Sequence, residues 1–301
     1  MIKYLTREQI DEEKYNECIK NSLQSLIYGY SWYLDIVTDN WDALVLDDYV
    51  AVMPLPWRKK YFIKYLNTPL RILELGVFST EKVDENKFLE KLFSKFKYAN
   101  LRMNCHNSFS MLDDGGQEKH QQVLKFSEEY SVLYKNYSSG RKKDLKRAEK
   151  ASLIEKWNDN PENLIKIFKD NVGKRFKYLT DKDYQIMKEL LDTCIQKKLG
   201  EILSVYSKEN KLAASGFFVI HENQVNTLFY SSDFNDRKNG ANTFLIDRAI
   251  YKYRKTTKQF GFGGSSIPSI AKFFKSFGSE TLTYTELNYN NLPKILKLFK
   301  K

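Results

Sequence analysis

The residues with the clearest chemical promise form one run: Leu228-Phe229-Tyr230-Ser231-Ser232-Asp233-Phe234-Asn235-Asp236-Arg237-Lys238-Asn239-Gly240-Ala241-Asn242. Its core is Arg237-x-x-Gly240-x-Asn242. Just after it, Phe244, Leu245, Ile246, Ala249 and Ile250 recur at helical spacing, which predicts a helix to about residue 253. Gly240 permits a tight turn and the close approach of a ligand. The N–H groups at a helix start point outward, with the positive end of the dipole behind them. Together they form an anion site suited to a pyrophosphate, and Arg237 and Lys238 add charge. The same spacing also describes an ordinary basic loop capped by Gly and Asn.

The elements around this run follow from local pattern. Thr180-Asp181-Lys182-Asp183 resembles a capping box with Asp in place of Glu. Met187, Leu190, Leu191 and Cys194 then mark an amphipathic helix, for which Gly200 is read as the left-handed stop. Strands are predicted over 201–206, 212–221 and 225–230, joined by short turns as an antiparallel meander. A polar loop over 231–239 leads to the helix, then a strand over 260–263 and a turn at Gly264-Ser265-Ser266. Pro268 opens a helix to 277, which Gly278 ends. A strand over 282–287 and a helix over 292–299 follow.

The first half repeats this order more faintly. Strands are predicted over 2–5, 41–46, 50–55, 73–78, 101–104 and 123–126, and helices over 8–26, 31–37 and 84–96. The fold class is therefore α/β, with a mixed sheet in two similar units, 1–135 and 136–301. The seam falls near the densest basic run, Ser138-Ser139-Gly140-Arg141-Lys142-Lys143-Asp144-Leu145-Lys146-Arg147-Ala148-Glu149-Lys150. Arg141, Asp144, Leu145 and Ala148 share a stripe there, so the run reads as a solvated helix.

The meander, the Arg-x-x-Gly-x-Asn turn and the helix–strand–helix–strand that follows resemble the GNAT acyltransferase superfamily. Asn242 stands where that family usually has Gly or Ala. The resemblance implies an acyl donor, acetyl-coenzyme A or another acyl-coenzyme A, and an amine acceptor. It implies that Arg237, Lys238, Asn239, Gly240, Ala241 and Asn242 hold the pyrophosphate, and that the strand through Phe229 and Ser231 lines the pantetheine arm. Two such units in tandem resemble the FemAB-like transferases more specifically. The stretch from Tyr137 to Ala148 is similar to an Arg/Lys-rich stretch seen there, and Phe274-Lys275-Ser276-Phe277-Gly278 resembles a late element of the same group. Gly264-Ser265-x-Ile267-Pro268-x-Ile270-Ala271-x-Phe273-Phe274 also looks like a bacterial GNAT subgroup with acids at Gly261 and Gly263. FemAB-like enzymes move aminoacyl groups from charged tRNA onto amines of cell-wall precursors, so tRNA is the alternative donor. A non-catalytic protein that keeps the fold is the third reading.

Acyl transfer to an amine needs a polarised carbonyl, a neutral amine and a proton for the leaving group. Tyr230 is the candidate proton donor and Asp233 the candidate acceptor of the amine proton. Tyr284 is a further catalytic candidate on the last strand, beside Glu286, and Glu201 is another at a strand start. Positioning alone is the competing account. The first unit has no equivalent turn after residue 78 and reads as an acceptor-side or structural half. Trp57-Arg58-Lys59-Lys60 and Arg141-Lys142-Lys143 suit an anionic acceptor, a tRNA backbone or a solvated surface.

Composition narrows the classes. At 301 residues, 42% hydrophobic and 15% aromatic, the chain buries a sizeable core and is not disordered. Its net charge of +11 suits an anionic partner or simply a lysine-rich surface. Cys18, Cys105 and Cys194 are dispersed and odd in number, so a reducing, cytoplasmic setting is expected. No apolar run reaches the roughly 20 residues of a spanning helix. The three dispersed histidines give no metal spacing, so no metal is expected. Gly261-Phe262-Gly263-Gly264 imitates a dinucleotide fingerprint, but the third glycine is missing.

Overall fold

The computed structural model describes residues 1–60, 62–112, 116–176, 178–264 and 267–293. In chain order the elements begin with β1 (Ile2–Thr6), α1 (Glu12–Asn21), α2 (Ser31–Val37), β2 (Trp41–Leu46), β3 (Ala51–Lys60) and β4 (Ile63–Asn67). Next come β5 (Phe78–Ser79), α3 (Asn86–Lys95), β6 (Tyr98–Arg102), β7 (Gly116–Lys125), α4 (Tyr130–Lys135) and α5 (Ser139–Lys150). Then follow β8 (Ile154–Trp157), α6 (Pro161–Asp170), α7 (Asp181–Gln196), β9 (Gly200–Tyr206), β10 (Leu212–His221) and β11 (Gln224–Ser232). The last are α8 (Ala241–Tyr253), β12 (Gln259–Gly264), α9 (Pro268–Lys275) and β13 (Glu280–Asn290). No described helix is long and apolar enough to cross a membrane.

Two compact units emerge, Met1–Lys119 with Thr283–Lys301, and His120–Leu282. They differ from the expected 1–135 and 136–301 because two strands change sides. β7 pairs antiparallel with β12, and β13 pairs antiparallel with β6. The strand order is β1-β2-β3-β4-β6-β13 in the first unit and β8-β9-β10-β11-β12-β7 in the second. In both, four antiparallel strands precede one parallel pair, β4 with β6 or β11 with β12. The parallel partner arrives through a helix, α3 or α8, as a parallel connection requires. The repeat read from the sequence is thus present, but its third strand in the first unit is β4. The expected strand over 73–78 is mostly irregular: Leu75 makes a single bridge to Met103, and only Phe78–Ser79 is extended.

Other boundaries moved for local reasons. α1 is confined to Glu12–Asn21, opening where Asp11 accepts the Lys14 N–H at 3.2 Å. β8 and α6 occupy a stretch for which the sequence reading predicts nothing. α6 has Asn160 as its cap and Pro161 in its first turn, and it buries Leu164, Ile165 and Ile167. The Thr180–Asp183 capping box of α7 forms as read. Gly200 is not its stop. Lys198 takes the left-handed conformation (φ 58°), and Gly200 opens β9, where a Cβ would lie 2.2 Å from the Phe217 ring. Gly278 does end its helix with φ 83°. Ser265 and Ser266 of the expected turn, and the expected terminal helix from residue 294 on, lie outside the described residues.

Both faces of the second sheet are covered. Phe229 and Ser231 on β11 meet α6, the ring of Phe229 against Phe168 at 6.1 Å and the Ser231 hydroxyl on the Ile167 carbonyl at 3.0 Å. The extra residue at Leu228 reverses the alternation, so Val225 points to the opposite face. There it joins Phe218, Leu245, Ile246, Ile250, Tyr253 and Phe260 in one core.

A buried carboxylate ties the β8–α6 corner to β9. Asp159 accepts from Tyr206 at 2.5 Å and Asn163 at 3.1 Å and pairs with Lys156 at 2.7 Å. Burial alone would raise its pKa, but these partners outweigh it and hold the carboxyl well below the usual range. A depressed folded pKa contributes stability above the unfolded value of about 3.9, and that stability is lost as pH falls. Asp159→Asn is therefore expected to be less stable than wild type at pH 7. In urea unfolding series, the gap should narrow as pH drops below about 4.

Candidate functional site

The site begins where two strands part. β11 and β12 share three parallel rungs, Gln224↔Gln259, Val225↔Phe260 and Asn226↔Gly261. Beyond them β11 continues to Ser232 along β10, and β12 continues to Gly264 along β7. Among the described residues no rung joins 227–232 to 262–264, so a wedge opens between the strands. Two bulges shape it. Phe217 pairs with Phe229 and Phe218 with Thr227, which leaves Leu228 unmatched on β11. On β12, Gly261 and Gly263 pair with Val123 and Gln122, which leaves Phe262 unmatched. Bulges increase local twist and turn backbone groups away from the ladder.

Gly261 stands at the apex. A Cβ there would lie 1.9 Å from Oδ1 of Asn226, so glycine leaves room for the Asn226 side chain beside the last shared rung. Gly263 supplies a left-handed residue (φ 78°) where β12 bends. These glycines serve strand geometry, not a dinucleotide turn. Aromatic rings line one face nearby: Tyr230 against Phe274 at 5.9 Å, and Phe262 against Phe260 at 4.9 Å and Phe274 at 5.1 Å.

The first unit parts its equivalent strands and then fills the gap. β4 and β6 share two rungs, Leu66↔Ala99 and Asn67↔Asn100. The chain after β4 then takes the free positions. The Thr68 N–H donates to the Asn100 carbonyl at 3.0 Å, and the Arg102 N–H donates to the Thr68 hydroxyl at 2.9 Å. The Leu75 N–H donates to the Arg102 carbonyl at 2.8 Å. In the second unit no described backbone segment takes the equivalent positions between β11 and β12.

The expected site residues fall into separate groups. Tyr230 lies on β11, and burial pushes its hydroxyl up to about 12, so it stays protonated at neutral pH. Asp233 follows β11. The Asn235 N–H at 2.9 Å and the Lys211 ion pair at 3.0 Å hold its carboxyl below the usual range, which weakens it as a base. Tyr284 belongs to the first unit, on β13, where burial raises its pKa and Arg102 opposes the rise. The structure thus sets Tyr230 and Asp233 on one strand end and Tyr284 in a different unit. Phe229 and Ser231 turn their side chains into the α6 contact, so only their backbone can line a donor.

The turn has the expected backbone and an unexpected neighbour. Arg237–Asn239 is a single 3-10 turn, and Gly240 is left-handed with φ 82°. The side chain of Arg237 is outside the described part of the structure, and Lys238 is exposed. Asn239 caps the turn, its Oδ1 accepting the Ala241 N–H at 2.9 Å while Nδ2 donates to Asp236 at 3.1 Å. A Cβ on Gly240 would lie 2.2 Å from the carbonyl oxygen of Asp144 and 3.2 Å from the nitrogen of Ala148. The backbone of α5 occupies that side of Gly240. The contact continues along α8: Thr243 accepts from Arg141 at 2.6 Å and donates to Asp144 at 3.1 Å. Arg141 also lies 4.5 Å from the centre of the Phe273 ring. Ala241, Thr243 and Ala148 are buried, and Asn242 is half-buried with its Oδ1 unpartnered. The stripe Arg141–Asp144–Ala148, read as part of a solvated helix, is the docking face of α5. Of the basic residues of α5, Lys143, Lys146, Arg147 and Lys150 are exposed, with Glu149 exposed beside them. Nothing in the local sequence signalled this contact, because the partner is about 100 residues away.

The basic run Arg58-Lys59-Lys60 ends β3 in the first unit, with Arg58 paired to Asp39 at 2.7 Å. No cluster of three or more metal-ligating side chains occurs among the described residues. Because α5 packs on Gly240, Gly240→Ala should destabilise the protein whatever it binds. Both the left-handed φ and the clash contribute, at about 1–3 kcal/mol. Thermal unfolding should show a drop of roughly 2–4 °C for each kcal/mol lost. An unchanged midpoint would show that α5 does not rest on the turn in solution.

No protein-family model matches the sequence, and no curated protein matches it. Solved structures do. The chain is similar to one described as FemX, at 12% identity over 99% of each chain with a TM-score of 0.66. It is similar to L-PGS from Bacillus licheniformis, at 12% identity over 96% of this chain and 95% of that one, with a TM-score of 0.55. A tandem GNAT protein from the clavulanic acid biosynthesis pathway aligns at 8% identity over 97% and 100%, with a TM-score of 0.51. At these identities the likeness concerns the fold, and the fold is the tandem GNAT arrangement in its FemAB-like form.

Proposed function

We propose that the chain is a group transferase of the GNAT/Fem type. It moves an activated acyl or aminoacyl group onto an amine, with the reacting carbonyl held in the wedge between β11 and β12. The observation that carries this reading is the early end of the β11–β12 ladder. Among the described residues it leaves the outer edge of β11, from Thr227 onward, without a ladder partner, whereas the first unit re-bonds the equivalent edge of its own β6. Backbone N–H groups on a fixed strand suit a developing oxyanion, because they need no reorganisation as charge builds up. The amine nitrogen attacks the carbonyl carbon, the bond to the leaving oxygen or sulfur breaks, and the nitrogen loses a proton. Tyr230, protonated at neutral pH, is the proposed donor to the leaving group. Asp233, already held by Lys211, suits a positioning role better than proton abstraction.

The packing of α5 bears on the donor class. With its backbone against Gly240, the turn has no room on that side for a pyrophosphate. This favours a donor anchored elsewhere, an aminoacyl ester of tRNA, with the exposed Lys143, Lys146 and Lys150 offered to its phosphates. The similarity to FemX supports the same choice. Acetyl-coenzyme A or another acyl-coenzyme A remains the second reading. It is supported by a left-handed glycine that opens a 13-residue helix directly after the wedge strand, and it requires α5 to move off the turn.

Two measurements separate these readings. Binding of aminoacylated tRNA should be strong at low salt and fall steeply as salt rises. Acetyl-coenzyme A at millimolar concentration should shift the unfolding midpoint little. A clear shift with acetyl-coenzyme A and no tRNA binding would assign the donor to coenzyme A. Failure of both would remove the donor reading and leave a binding protein that keeps the fold.

A further inference from the structure

Thr227 is the first residue of β11 beyond the last rung shared with β12. It is 5% exposed, and its hydroxyl has no hydrogen-bond partner. Its cross-strand partner is Phe218, so its side chain shares the face of Phe218. Phe218 belongs to the core that holds Phe260, Phe262 and Phe274, with Tyr230 packed against it. A lone hydroxyl among aromatic rings is costly, and valine would fill the same space without that cost. By contrast, the buried amide of Gln122, which pairs with Gly263 across β12, is satisfied: it donates to Thr281 at 2.9 Å and accepts from Ser279 at 3.1 Å.

Resting on the donor reading above, we propose that Thr227 is a specificity-determining residue. Its hydroxyl makes a hydrogen bond to a polar substituent of the transferred group, next to the reacting carbonyl. The wedge then favours acyl groups that carry a hydroxyl or amino substituent over hydrocarbon groups of the same shape. A site built around a buried hydrogen-bonding group discriminates strongly against a ligand that leaves it unpartnered.

The test compares lactyl and isobutyryl groups, which differ by a hydroxyl in place of a methyl. Each is presented on tRNA and on coenzyme A, and dissociation constants are measured for wild type, Thr227→Val and Thr227→Ser. Wild type should prefer lactyl by about tenfold or more. Thr227→Val should bring the two groups within about threefold of each other, and Thr227→Ser should keep the preference. Without ligand, Thr227→Val should unfold at the same temperature as wild type or higher, because a costly hydroxyl has been removed. An unchanged preference in Thr227→Val would overturn the inference. So would a lower midpoint for that variant, because it would mean that the hydroxyl is satisfied within the fold. Binding of both groups without preference removes the role of Thr227 alone. Binding of neither group on either carrier removes the donor reading and this inference with it.

Discussion

Three backbone rungs decide the character of the second unit. Had the β11–β12 ladder run its full length, the strand edge would be sealed like any other in the sheet. It stops at Asn226 and Gly261 because the next residues cannot stay in register. Leu228 bulges out of one strand and Phe262 out of the other, each in antiparallel pairing with its outer neighbour. The neighbours β10 and β7 thus pull the two strands apart from outside. The first unit meets the same divergence differently. Thr68 and Leu75 re-bond the freed backbone of β6 and turn an opening into ordinary packing.

The second constraint is the meeting of α5 and α8. A helix start with a left-handed glycine is a ready anion site when it faces solvent. Here the glycine faces another helix, and the absence of a side chain lets two backbones approach. The same residue type at the same spacing therefore serves close helix packing. Arg141 completes the contact. It lies against the Phe273 ring and is bonded to both Thr243 and Asp144, so a basic residue that looked available to a ligand is already engaged.

What the sequence disclosed and what it hid divide along the range of the interactions. The β9–β11 meander, α7 with its Thr180–Asp183 box, and α9 with Pro268 and Gly278 were legible because each is set by residues within a few positions. So was the succession of elements that suggested a tandem GNAT arrangement. β4 was missed because its residues are only half-buried, whereas the apolar stretch at 72–78 is buried without forming a strand. The cap and apolar stripe of α6, at Asn160, Pro161, Leu164, Ile165 and Ile167, are local signals of the same kind. The α5 contact, the bulge at Leu228 and the unpartnered Thr227 depend on distant partners, and no local pattern announces them. Gly240 was found for its conformation, but its neighbour decides what that conformation is for.

The exchange of β7 and β13 has a consequence for how the protein is made. The strand that closes the first sheet pairs Glu286 with Arg102 and Leu287 with Leu101, so the first sheet waits for residues more than 180 positions downstream. During synthesis β6 would emerge with its outer edge bare, an invitation to wrong partners. Loop closure over such a span is slow compared with the local hairpins β2–β3 and β10–β11. The two halves therefore cannot mature independently, one after the other. Assembly of the first is coupled to completion of the second, because β6 has its edge partner only once β13 has been made.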